Sequence, residues 1–175
     1  MVRRKAEKAV SLIVALLMIA LMFVPSHDEL ALRCSSPWWT AFTYEFIHAN
    51  IFHLAVNILC LLGFVFNRDL NLSKMLTGYA AGILYGLLFK SSSPVAGLSV
   101  CIFSWIGMYS LKPIGLVARL KYNAYVALWL LATWVMNIII GRCMAVEAHI
   151  ICYLIGVITA IINQPITTKK NVQVN

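Results

Sequence analysis

Lys90-Ser91-Ser92-Ser93-Pro94-Val95-Ala96-Gly97-Leu98-Ser99 runs into an apolar stretch that ends at Lys112-Pro113. From Ser99 to Lys112 is thirteen steps, or roughly 20 Å of helix at about 1.5 Å per residue. A bilayer's hydrocarbon core is about 30 Å thick. If Lys112 marks one face of a membrane, Ser99 lies well below the other. The polypeptide from Lys90 must then dip in as non-helical backbone, which Pro94, Gly97 and the three serines suit. Irregular backbone survives at that depth only when buried in protein or lining a wet cavity. This segment therefore implies a short re-entrant fourth helix beside a cavity open to water.

The bilayer setting follows from composition. The chain has 175 residues, 62% of them hydrophobic and only 11% charged, with mean hydropathy +0.86. Soluble domains carry more than twice that charge, so a multi-pass membrane protein is expected. The net charge of +8 would suggest nucleic acid on a soluble protein. Here the basic residues cluster at segment ends, with no run interleaved with exposed aromatics, so no nucleic-acid partner is expected. Five cysteines, Cys34, Cys60, Cys101, Cys143 and Cys152, lack the spacing of a metal site or a disulfide framework and read as small packing residues.

Six hydrophobic segments are expected as helices, at about 9–24, 46–66, 74–89, 99–111, 122–140 and 148–162, forming one all-α membrane domain over 1–175. The first follows Arg3-Arg4-Lys5 and lacks a small-x-small cleavage site, so it reads as a retained span. With the N-terminus cytoplasmic, Arg3, Arg4, Lys5, Lys8, Arg68, Lys74, Lys112, Arg119, Lys121, Lys169 and Lys170 lie inside, and only Arg33, Lys90 and Arg142 outside. That asymmetry obeys the positive-inside bias and puts both termini in the cytoplasm. The long outer connection to Glu45 holds Pro37-Trp38-Trp39 and Phe42-Thr43-Tyr44, an interfacial aromatic belt or a loop lying partly in the outer leaflet.

Two histidines share the depth of Ser99. His149 and His53 each lie fourteen steps, about 21 Å, before a polar stop at Asn163 and Asn67 respectively. Asn57 is one turn below His53 on the same face. A serine hydroxyl becomes a nucleophile when a base takes its proton, and His149 is the matched base. His53 and Asn57 offer side-chain N–H groups to an oxyanion. The backbone N–H groups of Leu98 and Ser99 lie at the dipole-positive start of the fourth helix, and Gly97 permits close approach. Glu45 and Glu147 are expected near the surface, leaving a Ser–His dyad without an acidic third member. Singly, each residue has a plainer reading: Ser99 as a helix cap, His53 and Asn57 as interhelical hydrogen-bonding groups, His149 as an interfacial residue. Together, all four would have to coincide in depth and chemistry.

His48-Ala-Asn-Ile-Phe-His53-Leu-Ala-Val-Asn57 resembles the HxxxxHxxxN signature of rhomboid intramembrane serine proteases. Gly97-Leu98-Ser99, followed by Phe103 and Gly107, resembles their fourth-helix motif. Ala148-His149-Ile-Ile-Cys152-Tyr-Leu-Ile-Gly156 resembles the sixth-helix motif, and Trp39 with its neighbours resembles the family's membrane-embedded first loop. The resemblance implies a bacterial minimal six-helix core in the inner (cytoplasmic) membrane, cleaving transmembrane or juxtamembrane segments of other proteins without metal or cofactor. It makes Ser99 the nucleophile and His149 the general base. His53, Asn57 and the amides around Leu98 become the oxyanion site, Phe103 a packing partner of His149, and His48 a structural or substrate-side residue of the second helix. Val100 and Cys152 stand where the family has glycines that let the fourth and sixth helices pack closely, and Val100 adds bulk where the dyad must meet. That departure keeps open an inactive, client-holding relative. A transporter is disfavoured, because Ile58-Leu-Cys-Leu-Leu-Gly-Phe-Val-Phe66 leaves no polar path below Asn57.

Overall fold

The computed structural model describes residues 2–25, 27–67, 70–89, 94–112, 115–140 and 146–163. Arg68, Asp69, Lys90, the serines 91–93, Pro113, Arg142, Cys143, Pro165, Lys169 and Lys170 lie outside them. Among the described residues there are six α-helices: α1 (Val2–Leu21), α2 (Ile51–Asn67), α3 (Leu72–Leu88), α4 (Ser99–Tyr109), α5 (Leu116–Ile140) and α6 (Val146–Ile162). Short 3-10 turns at Trp38–Phe42 and Tyr44–Phe46 sit in the long connection before α2.

Three boundaries differ from expectation for local reasons. α1 extends back through its basic residues, which are good helix formers. α5 begins at Leu116, directly after Gly115 with φ +87°. α2 starts five residues late because Asn50 caps it: its Oδ1 accepts the His53 backbone N–H at 2.9 Å, satisfying a donor that the first turn leaves orphaned. His48 is therefore not on the second helix but in the extended segment before it.

α4 is the centre of the molecule. Nine of its eleven residues are buried, from Val100 to Gly107 plus Tyr109. Its most extensive contact is with α6, and two glycines set that distance. A Cβ at Gly107 would fall 2.2 Å from the Tyr153 carbonyl oxygen, and one at Gly156 would fall 2.0 Å from that of Ser104. This is the small-residue route to close helix packing where water supplies no driving force. On its other side α4 meets α3, where the Trp105 indole N–H donates to the Lys74 carbonyl at 3.0 Å. The Phe64 ring of α2 packs edge-on against the same indole.

The outer helices turn apolar side chains away from this centre. Phe52 is 80% exposed and Leu128 64%, while buried positions include Glu7, Ser11, Thr40, Glu45, His48, Asn57, Ser104 and Ser110. Among the described residues no helix is both long and apolar enough to cross a membrane by itself.

Candidate active site

The site is built where residues 94–98 enter α4. Leu32 and Val95 form an antiparallel bridge, the Leu32 N–H donating to Val95 O at 2.9 Å and the Val95 N–H to Leu32 O at 2.8 Å. The Gly97 N–H donates to the Tyr44 carbonyl at 2.9 Å. The buried positions of this non-helical segment, Val95 and Gly97, are thus hydrogen-bonded by the long connection. Gly97 has φ +113°. A Cβ there would lie 2.7 Å from Cε1 and 2.9 Å from Nε2 of His53, and 3.6 Å from Nδ2 of Asn57. Glycine is required twice over, by its dihedral angle and by the imidazole against its Cα.

Ser99 is the first residue of α4, and His149 sits in the first turn of α6. Both are half-buried, and the His149 Nε2 lies 2.8 Å from Ser99 Oγ. With the ring proton on Nδ1, the hydroxyl donates to Nε2. Phe103, one turn below Ser99, stacks on the imidazole at 4.4 Å between centroids and 20° between planes. Trp129 of α5 stacks on Phe103 at 5.1 Å. Phe103 is therefore the middle of three layered rings, with the His149 imidazole on one face and the Trp129 indole on the other.

Asn57 is buried, and its Nδ2 donates to the His53 carbonyl at 2.9 Å. One amide hydrogen is used there, leaving the second on the side bordered by Gly97. Leu98 is buried at the N-terminal boundary of α4. Its own N–H and that of Ser99 belong to the first turn, which has no intrahelical acceptors. His48 is buried with its Nδ1 3.3 Å from the Phe46 carbonyl and its ring 5.1 Å from that of His53. These contacts join Ser99 to His149 and Phe103, and the neighbouring Gly97 to His53 and Asn57, with His48 reaching the group through the His53 ring.

Three expectations need correction. Val100 does not wedge between Ser99 and His149. It points at α3, where its Cγ2 lies 3.1 Å from the Cβ position of Gly82. Cys152 likewise faces α3, 3.8 Å from the Ala81 carbonyl. The close α4–α6 approach is set lower down, by Gly107 and Gly156, so the lost glycines leave the 2.8 Å contact intact. The third correction is Glu45. It is not at the surface but fully buried, and the Cys101 thiol donates to its Oε2 at 2.7 Å, so Cys101 is more than apolar packing. Glu147 is exposed, as expected.

Sequence reasoning also passed over Trp129. A tryptophan within an apolar helix carries no mark of which neighbour it meets. Among the described residues no group of His, Cys, Asp and Glu is arranged to hold a metal ion.

A hydroxyl on an imidazole, beside amide and imidazole donors around a glycine, is a constellation for acyl transfer. A rhomboid-domain family model matches residues 35–165, and the chain belongs to the rhomboid family. Members of that family are membrane proteins, and they include intramembrane serine proteases. No curated protein matches the chain.

Proposed function

We propose that this protein is an intramembrane serine endopeptidase that hydrolyses peptide bonds in transmembrane or juxtamembrane segments of other membrane proteins. The observation that carries this reading is the 2.8 Å contact between Ser99 Oγ and His149 Nε2, at the entry to a buried helix. Ser99 Oγ attacks the scissile carbonyl while His149 takes its proton. The oxyanion develops towards the Asn57 amide, the His53 ring and the backbone N–H groups of Leu98 and Ser99. His149 then returns the proton to the departing amine. A water, deprotonated by the same imidazole, attacks the acyl carbon; the acyl–Oγ bond breaks and His149 returns the proton to Ser99 Oγ. Among the described residues no acidic side chain orients the base; the Phe103 ring, itself backed by Trp129, fixes its plane instead.

On this reading the six helices span a bacterial cytoplasmic membrane with both termini inside. The basic-residue asymmetry supports that orientation, and the outward-facing apolar side chains of α1, α2, α3, α5 and α6 support a lipid surround.

The test is labelling of the purified protein by a fluorophosphonate or isocoumarin, together with cleavage of a reconstituted transmembrane substrate. Wild type should be labelled at Ser99. Ser99→Ala and His149→Ala should each lower turnover by about a thousandfold or more with little change in melting temperature. Undiminished cleavage by either variant rejects the dyad. An unlabelled wild type that still binds membrane clients selects the client-holding alternative.

A further inference from the structure

The 3-10 turn Tyr44–Phe46 grips the chain on both sides of Ser99. Two residues before the serine, the Gly97 N–H donates to the Tyr44 carbonyl at 2.9 Å. Two residues after it, the Cys101 thiol donates to the Glu45 carboxyl at 2.7 Å. The same turn is also anchored on α3, where the Tyr44 hydroxyl donates to the Gly82 carbonyl at 2.7 Å and the Phe46 ring packs on Tyr79. The Glu45 carboxyl presses on Gly82 so closely that a Cβ there would fall 1.8 Å from Oε1.

We propose that Glu45 is a positioning residue for the Ser99–His149 site: in its neutral form it locks residues 97–101 against α3, and its ionisation loosens that lock. The proposal rests on the reading of Ser99 and His149 given above.

The surroundings of Glu45 favour the neutral acid. It is fully buried, and its Oε1 has no hydrogen-bond partner. The titratable groups facing it are Tyr44 on its own turn, Tyr79 from α3, Cys101 from α4 and Cys152 from α6. Thiols and phenols are neutral at pH 7 at their ordinary pKa values. Among the described residues no cation faces the carboxyl. Burial pushes the Glu45 carboxyl well above the usual carboxylate range, and the Cys101 hydrogen bond opposes this only in part. A carboxyl raised in the native state binds its proton more tightly there than in the unfolded chain. Stability is then full below the unfolded value of 4.5. It falls as pH rises towards the native value, and levels off above it. A glutamine keeps the shape and the acceptor oxygen but cannot ionise.

The experiment compares wild type, Glu45→Gln and Glu45→Ala in detergent micelles from about pH 5 to about pH 9, by melting temperature and by the rate of Ser99 labelling with a fluorophosphonate. The wild-type melting temperature should fall with rising pH relative to Glu45→Gln. The labelling rate of wild type should match Glu45→Gln at the acid end and drop at least about threefold below it at the alkaline end. Glu45→Ala should label about tenfold or more slowly throughout, as expected of a site displaced by a fraction of an ångström. Parallel profiles for wild type and Glu45→Gln, in both readouts, overturn the proposal. If Glu45→Ala does not fold, the glutamine comparison still decides. If no form is labelled, the hydrolytic reading fails, and the melting profiles alone decide whether Glu45 is the lock.

Discussion

α4 and α5 are both helices of a hydrophobic chain, yet they are built on opposite plans. α4 has eleven residues and shows almost none of them to the outside. Ser104 and Ser110 are as deeply buried as its isoleucines. α5 has twenty-five residues, and of its described side chains only Val126 is buried. Its Leu116, Val117, Leu120, Leu128 and Ile139 face outward. It is tied to the centre at a few points: the Tyr122 hydroxyl donates to the Ile106 carbonyl at 3.1 Å, Tyr153 bonds Asn123, and Trp129 lies on Phe103. The difference teaches that in this molecule hydrophobicity does not report burial. The outward-facing surface is apolar, and the interior is where small and polar side chains let helices come together.

The comparison breaks most readily at the α4–α6 seam. Gly107→Leu puts a side chain into the backbone of α6, which cannot move aside as a flexible side chain could. We expect a loss of about 3 kcal/mol or more, seen as failure to recover folded protein or as a large drop in melting temperature. The ring stack sharpens it. Phe103→Ala removes a buried aromatic, costing about 3–5 kcal/mol, and leaves His149 without its backing. Trp129→Ala on α5 removes only the outer, partly exposed ring and should cost about 1 kcal/mol. Its signature is a fall in the Ser99 labelling rate larger than the change in melting temperature. The smallest effect belongs to the α5 surface: Leu128→Ala should change stability in micelles by less than about 0.5 kcal/mol. A loss there comparable to that at Phe103 would mean that α5 is packed against something, and the contrast between the two helices would fail.

Much of the site was legible because depth can be counted along a single helix. Ser99 opens α4 at the residue expected, and His149 and His53 reach it from the ends of their own helices. Rotation about those axes and the path of the chain between them could not be counted. Its place beside an interfacial loop predicts a surface position for Glu45, but a 3-10 turn carries it inward. A signal was present in α3, where Gly78, Gly82 and Gly86 repeat at every fourth position. That face receives the Trp105 indole, the Glu45 carboxyl and the Ala41 methyl in turn. Such a stripe announces close approach without naming the visitor. The same holds for Val100 and Cys152, whose positions in a motif do not reveal which way they point.

Ser99 and His149 are separated by fifty residues of chain, and α6 is the last helix described. At a translation rate of roughly 5–20 residues per second, Ser99 leaves the ribosome several seconds before its imidazole. Throughout that interval the nascent polypeptide carries an unactivated alcohol. On the proposed reading, a truncated product ending anywhere before α6 lacks the imidazole and is hydrolytically silent, so the membrane is not exposed to an enzyme that is only partly made.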